Sequence, residues 1–583
     1  MLTRLLVAGM LLSGCAWAQE GDNENDGGEA SHGVARISLM KGDVAVRRGD
    51  SASSVAAAVN GPLVAGDQLL TGPAARAEIQ FDWATFVRLG TDTQVRLAAL
   101  ENNHYQVQLA RGTVTLAVIR DSNAQVEVDT PNMAFQPHER GSYRISVTDD
   151  GQSQVTVRAG AGDTYTPNGT EPVPAGQTMM VRGPVSDPEF QTVQAIPVDE
   201  WDRWNEQRDQ QLLKTRSYQY VSPDMAGAGE LDSYGHWVYV PPYGWVWSPN
   251  GVGPDWAPYR DGRWAWLDWY GWTWVGYEPW GWAPYHYGRW FFGAGVGWCW
   301  YPGAMYSHYY WRPALVAFFG FGPGVGVGVG FGSIGWFPLG PHEAFSPWYG
   351  RGWYGFRGGA TYVNNVRAMS IAGMRSTYIN ARVGNGISGV GAGAFGQGGR
   401  PGALSLNGQA RLSMMRGPVP VAPTAASLRM SDRTTRIAPA PLGRGQFYSP
   451  HAAAPSGRVS FSVQRQGVAR YAGQSIGTPA VHPGGSGPGA VQGWRAVPSQ
   501  SSGQAPANAV STGYRPQASP DWRTFGHVSQ TPNGTTPRTQ GVRINPPIVR
   551  ERSQSKGSSG HSSGGGGHAS GHSSGGGGGH SHK

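Results

Sequence analysis

"DGRWAWLDWYGWTW", residues 261–274, packs five tryptophans into fourteen positions. Two related stretches flank it, "YGHWVYVPPYGWVW" (234–247) and "YGRWFFGAGVGWCW" (287–300). The linkers between them also match: Trp256-Ala257-Pro258-Tyr259 and Trp282-Ala283-Pro284-Tyr285, with a degenerate Trp311-Arg312-Pro313-Ala314 after the third. Three copies at near-constant spacing form an internal repeat.

The spacing within each copy defines a β-hairpin. Directly opposed residues in a hairpin have a constant sum of residue numbers. Trp264 with Trp274 and Trp266 with Trp272 share one sum. Trp237 with Trp247 and Tyr239 with Trp245 share another, and Trp290 with Trp300 and Phe292 with Trp298 a third. Strand side chains alternate between faces, so the four aromatics of each copy lie on one face. Gly244, Gly271 and Gly297 fall just after each turn, where a residue with positive φ is often needed. Each cross-strand aromatic pair contributes about 0.2–1 kcal/mol. An isolated hairpin is marginal in water, so the three are expected to pool their aromatic faces into a core.

Trp256, Trp269, Trp280 and Trp282 lie outside this pairing, in turns and linkers. They are the candidate ligand-binding residues, because a flat indole stacks on the apolar face of a sugar ring. Asp255, Arg260, Asp268, Glu278 and His286 stand near them as hydrogen-bonding side chains. Residues 231–341 resemble an uncharacterised bacterial family of Trp-, Tyr- and Pro-rich repeats. The likeness rests on "PPYGWVWSP", "WAPYRDGRW", "YGWTWVGYEPWGWAPYHYGRW" and the closing "GWFPLGP". It implies architecture and export, and no activity. The Gly-rich stretch 320–332 is expected to be an insertion into it.

Upstream, residues 34–183 read as strands throughout. Apolar and polar residues alternate in "VARISLM" (34–40), "DVAVRR" (43–48), "RAEIQF" (76–81), "FVRLG" (86–90), "QVRLA" (94–98), "YQVQLA" (105–110), "QVEVD" (125–129), "YRISV" (143–147) and "QVTVRA" (154–159). Turn signals separate them, among them Lys41-Gly42-Asp43, Ala65-Gly66-Asp67 and Arg111-Gly112. Short strands at this spacing predict an all-β sandwich or short solenoid. "VAGDQLLTG" (64–72), "FVRLGTDTQVRL" (86–97), "LARGTVTL" (109–116) and "VEVDTPNMAF" (126–135), in that order, resemble the FecR domain family over about 36–165. Members of that family relay signals across the inner membrane to a sigma factor. This chain departs from their plan, since no stretch near the domain matches the ~20 apolar residues of a spanning helix. The resemblance therefore implies an exported all-β module and not iron signalling.

One helix is expected, over 198–217. Asp199 is its N-cap, Glu200 and Asp202 complement the positive end of the dipole, and Lys214 and Arg216 the negative end. Trp201, Trp204, Arg208 and Leu212 share a face that would dock on the β-domain.

The two ends differ in kind. Arg4 and the apolar run Leu5–Leu12 form a targeting segment. Leu12-Ser13-Gly14-Cys15 resembles the lipobox of bacterial lipoproteins, which implies lipidation of Cys15 and membrane attachment. Ala16-Trp17-Ala18 is the rival, an ordinary signal-peptidase site. Residues 19–33 are an acidic spacer that lacks the twelfth-position Glu of a calcium loop. Residues 355–583 hold 23 Lys+Arg against 3 Asp+Glu. Rich in Gly, Ser and Pro, they are expected to form a disordered basic tail that attracts anionic polymer. His561, His568, His572, His580 and His582 are weak metal candidates, since a Gly/Ser run preforms no site. "GQSIG" (473–477) fits a nucleophile motif, but lacks the flanking strand and helix that motif needs.

With two cysteines and no positioned acid, base or nucleophile, the sequence points to a non-enzyme with no cofactor. The expectation is an exported, periplasmic or outer-membrane, cell-envelope structural or interaction protein. Its partners would be envelope polymer or envelope protein, with no specific nucleic acid. The alternatives are a carbohydrate-binding module and a diverged FecR-type sensor.

Overall fold

The alternation along residues 34–183 is realised as two sheets that share one strand. In the computed structural model, residues 33–101, 103–184, 186–321, 332–348, 366–406, 412–437, 449 and 458–475 are described. All belong to the first of the chain's two units, Met1–Gly484. His104–Val118 is the shared strand. Its first half pairs with Gln94–Glu101 and, in parallel, with Gln125–Asp129; its second half pairs with Thr85–Leu89 and Gly141–Val147. The apolar faces of both sheets meet in one core, with Val46, Leu97 and Leu109 from one and Ile79, Leu116 and Ile145 from the other. The expected sandwich is present.

Arg111-Gly112 is not the turn its composition suggests. Both residues lie inside the fifteen-residue strand. Gly112 has φ +87, and a Cβ there would meet Thr93 Oγ1 at 2.4 Å and Thr93 Cα at 2.7 Å. The glycine bends the strand from one sheet into the other instead of ending it. The domain also continues past residue 183, through the edge strand Glu189–Gln194.

The linker helix spans Glu200–Leu213, shorter than 198–217. A capping box starts it: the Asp199 side chain accepts from the Asp202 N–H, and Asp202 accepts from the Asp199 N–H. Lys214 is the C-cap, so neither it nor Arg216 serves the last turn. Asp232 accepts from the Arg216 N–H and the Ser217 hydroxyl, which draws the chain out of the helix. The predicted face docks as expected. Trp201 Nε1 donates to Thr115 Oγ1 at 2.9 Å, Arg76 lies 4.7 Å from the Trp204 ring, and Leu212 packs on Phe86, Ala117 and Ile119.

Beneath the helix sits a buried charge network. Glu78 bonds Arg88 at 2.7 Å and Arg208 at 2.8 Å; Arg88 also bonds Asp209 at 2.6 Å, and Arg36 bonds Glu230 at 2.6 Å. Burial alone would raise the Glu78 carboxyl, but the Arg88 and Arg208 guanidiniums outweigh it and hold it at about 2. This network ties the β-domain to the helix and to the entry of the repeats. The hydrophobic core is contiguous across the same junction, from Ala35 to Trp348.

The unstructured tail expected from residue 355 is corrected over part of its length. Val316–Phe321 and Ser333–Pro338 form a hairpin whose two edges are both filled by later chain. Leu412–Met415 pairs on one side and Ser388–Gly391 on the other. Asn380 Nδ2 donates to the carbonyls of Trp290 and Pro338. A second sizeable helix, Phe461–Ser475, joins the single helix that was expected. These segments fold because the hairpin edges and tryptophan faces bury them, though their own composition carries no periodic signal. The Gly-rich stretch read as an insertion includes part of this hairpin, and residues 322–331 lie outside the described chain.

Candidate functional site

The repeat registers match the sequence derivation pair for pair. Trp237 faces Trp247 and Tyr239 faces Trp245; Trp264 faces Trp274 and Trp266 faces Trp272; Trp290 faces Trp300 and Phe292 faces Trp298. Gly244, Gly271 and Gly297 have φ of +81, +67 and +85. The first and third hairpins join into one four-stranded sheet through Trp247 and Trp300, while the second stands as its own two-stranded sheet.

Both strands of the second hairpin are internal. Trp264, Trp266, Trp272 and Trp274 are all buried. Trp264 and Trp274 meet edge-to-face at 5.3 Å, as do Trp266 and Trp272. Trp272 Nε1 donates to the Val421 carbonyl at 3.2 Å and Trp266 Nε1 to Gln464 Oε1 at 2.7 Å.

Of the four linker candidates, the structure withdraws two from any sugar platform. Trp280 is 3% exposed and Trp282 1%. They are core because the repeats wrap their own linkers: Trp280 packs on Trp247 at 4.9 Å, and Trp282 on His286 at 4.5 Å. Trp256 is partly buried. Its Nε1 donates to Glu278 Oε1 at 3.1 Å, and its ring meets Trp280 and Trp290 edge-on. Trp269 is partly buried at the tip of the second hairpin, with φ +69. The third copy places Gly295 there, with φ +79. A bulky residue in this left-handed region stores about 1–3 kcal/mol of strain.

Among the polar neighbours, Glu278, His286 and Arg260 are structural as well. Glu278 Oε1 also accepts from Tyr285 Oη at 2.7 Å, and the Glu278 carbonyl accepts from Asn60 Nδ2 of the β-domain at 2.8 Å. Burial pushes the Glu278 carboxyl up to about 7. His286 Nδ1 donates to the Arg312 carbonyl at 2.7 Å, and burial drives its ring down to about 3, so it is neutral. Arg260 is spent on Ser388 and on the carbonyls of Asn385 and Ile387. Burial, followed by the charge of Asp50, lifts Asp268 to about 6.

Aromatic surface reaches solvent elsewhere, at the tip pair of the first hairpin. Tyr239 is 61% exposed and Trp245 47%. Their rings meet at 5.8 Å and 82°. Tyr220 lies across Trp237 at 4.6 Å and against Trp245 at 5.2 Å. The repeat alignment contains the signal for this site but cannot reveal it, because all three copies look alike until their surroundings are known. Cys15 and the five C-terminal histidines lie outside the described residues.

The fold is thus an all-β body made of a two-sheet domain and a tryptophan-hairpin domain. The family described as FecR protein matches residues 67–161. A family of unknown function, DUF6600, matches residues 228–343. The chain therefore joins a FecR-like region to a DUF6600-like one, as the sequence resemblances implied. Two crystal structures of a protein from Parabacteroides distasonis ATCC 8503, described as an anti-sigma factor, are similar at 16% and 15% identity. Each match covers 22% of this chain and 59% of that one, with a TM-score of 0.20. This chain therefore matches under two thirds of their length. No curated protein matches the chain. No helix among the described residues is long and apolar enough to cross a membrane.

Proposed function

We infer that the chain is an exported, non-catalytic cell-envelope interaction protein. The observation that carries this reading is the shared core. FecR-like sheets, linker helix and tryptophan repeats are fused through one hydrophobic cluster and the buried Glu78–Arg88–Arg208–Glu230–Arg36 charges. Two of the four indoles expected to bind ligand, Trp280 and Trp282, are consumed in making that body rigid. The leader with Cys15 supports export and lipid attachment, and the basic C-terminal region supports contact with anionic envelope polymer.

Two experiments test this. Radiolabelled palmitate should enter the wild-type chain and not Cys15→Ala; label on neither would remove the anchor. Binding to an acidic polysaccharide should weaken steeply with salt, and should weaken further in a chain ending at residue 484, which removes 9 of the 23 Lys+Arg that follow residue 354. Binding indifferent both to salt and to this truncation would end the electrostatic account. The FecR match over 67–161 favours a second reading, a diverged envelope sensor. Deletion of the protein would then change a sigma-factor-dependent transcript set, whereas an interaction protein without signalling leaves it unchanged.

A further inference from the structure

The first and second hairpins share the same local geometry up to a point. In the second, Phe395 stacks on Trp264 at 5.7 Å and 23°, and abuts Trp272 at 4.8 Å. In the first, Tyr220 takes the corresponding place, stacked on Trp237 at 4.6 Å and 26° and against Trp245 at 5.2 Å. The tip pairs correspond too: Trp266–Trp272 at 5.3 Å and 86°, Tyr239–Trp245 at 5.8 Å and 82°.

The next layer differs. The second hairpin is roofed by irregular chain, Pro418-Val419-Pro420-Val421-Ala422-Pro423, whose Val421 carbonyl accepts from Trp272 Nε1. Three prolines remove three backbone donors from that stretch, so it forms no sheet ladder, and its Val421 carbonyl is left to accept from the indole. Gly396 brings its backbone onto the same indole, where a Cβ would sit 2.2 Å from the ring. On the first hairpin no described segment plays this part. Trp245 Nε1, Tyr239 Oη and Tyr220 Oη have no hydrogen-bond partner among the described residues. The roofing segments the described chain has are committed to the second hairpin.

We propose that Tyr239, Trp245 and Tyr220 form a docking site for an extended, proline-containing segment of another protein, with Trp245 Nε1 donating to one of its carbonyls as Trp272 donates to Val421. Indole faces flanked by Tyr, with an N–H aimed at a carbonyl, are the means by which proline-rich peptides are held generally. Tyr and Trp suit the task, offering broad apolar area with a polar tip at little rotamer cost. The proposal gives the interaction role inferred above a partner chemistry and rests on it. The test below involves neither export nor the basic region, so the two can fail separately.

The test uses a fluorescein-labelled peptide PVPVAPT, the chain's own residues 418–424, titrated into the full-length chain. Saturable anisotropy is expected, lost in Trp245→Ala and weakened about three- to tenfold in Trp245→Phe, which keeps a ring but no donor. Trp272→Phe should leave binding unchanged. If Trp245→Ala fails to fold, Trp245→Phe and Tyr239→Ser decide. The proposal is overturned by absence of saturable binding, by binding indifferent to Trp245, or by loss in Trp272→Phe, which would mean the peptide only displaces the native roof. It is also overturned by competition from a chito-oligosaccharide that depends on Trp245, which assigns the patch to sugar. Self-association abolished by Trp245→Ala would assign it to a second copy.

Discussion

Trp274 and Trp245 are the same residue type on the same face of sibling hairpins, yet their energetic roles differ. Trp274 is fully buried, edge-on to Trp264 and packed near Tyr259, Tyr285 and Trp336. Trp274→Ala should cost about 3–5 kcal/mol, since it removes a large apolar area and leaves a cavity. Trp245→Ala gives up a half-exposed ring and two aromatic contacts, worth about 1 kcal/mol. Denaturant unfolding of both variants checks the contrast; equal losses would mean that the tip pair is core after all. Gly112→Ala should also destabilise, by about 1–3 kcal/mol for the left-handed backbone and more for the clash with Thr93. An alanine variant as stable as wild type would show that the strand can bend there without glycine.

At the scale of elements, two buried carboxyls at the joins give stability opposite pH dependences. Glu278 lies where the repeat linker meets Asn60, with its folded pKa about 7 against an ordinary 4.5. The folded state holds this proton more tightly, so the group's stabilisation is full below about pH 4.5 and is lost as pH rises through 7. Glu278→Gln keeps an acceptor for Trp256 and Tyr285 and cannot ionise. Its melting temperature should fall less than that of wild type between about pH 5 and about pH 8. Parallel pH curves would refute the assignment. Glu78, under the linker helix, is held at about 2. Its contribution is full above about pH 4.5 and is lost as pH falls through 2, so Glu78→Gln should flatten the acid side of the stability curve. That variant should also be strongly destabilised near neutral pH, because Arg88 keeps its charge at 0% exposure with one partner fewer.

The whole molecule depends on chain that looks dispensable. A protein ending at residue 354 loses the strands that cover both edges of the Val316–Pro338 hairpin and the roof over Trp272. It should aggregate or melt well below the full chain, since an uncovered apolar edge invites pairing with other chains. A protein ending at residue 484, the boundary of the first unit, should melt like the full chain. Thermal unfolding of the pair settles it, and equal melting temperatures would show that residues 366–437 add nothing. Binding by the basic region is therefore best tested with the later boundary.

The sequence by itself determined the strand-rich domain, the linker-helix face and the register of all three hairpins. Each of these is a local pattern: alternation of period two, a helical stripe, and glycines where the turn needs positive φ. Tertiary structure alone decided which aromatic faces are covered. Tyr239–Trp245 and Trp266–Trp272 are equivalent in sequence, and contacts from chain far downstream, at Val421 and Gln464, separate them. It also decided that Arg111-Gly112 lies within a strand, that Trp280 and Trp282 are core, and that the Pro/Gly-rich stretch after 365 folds. Burial depends on partners distant in the chain, and alternation reports that a face exists without naming what will cover it.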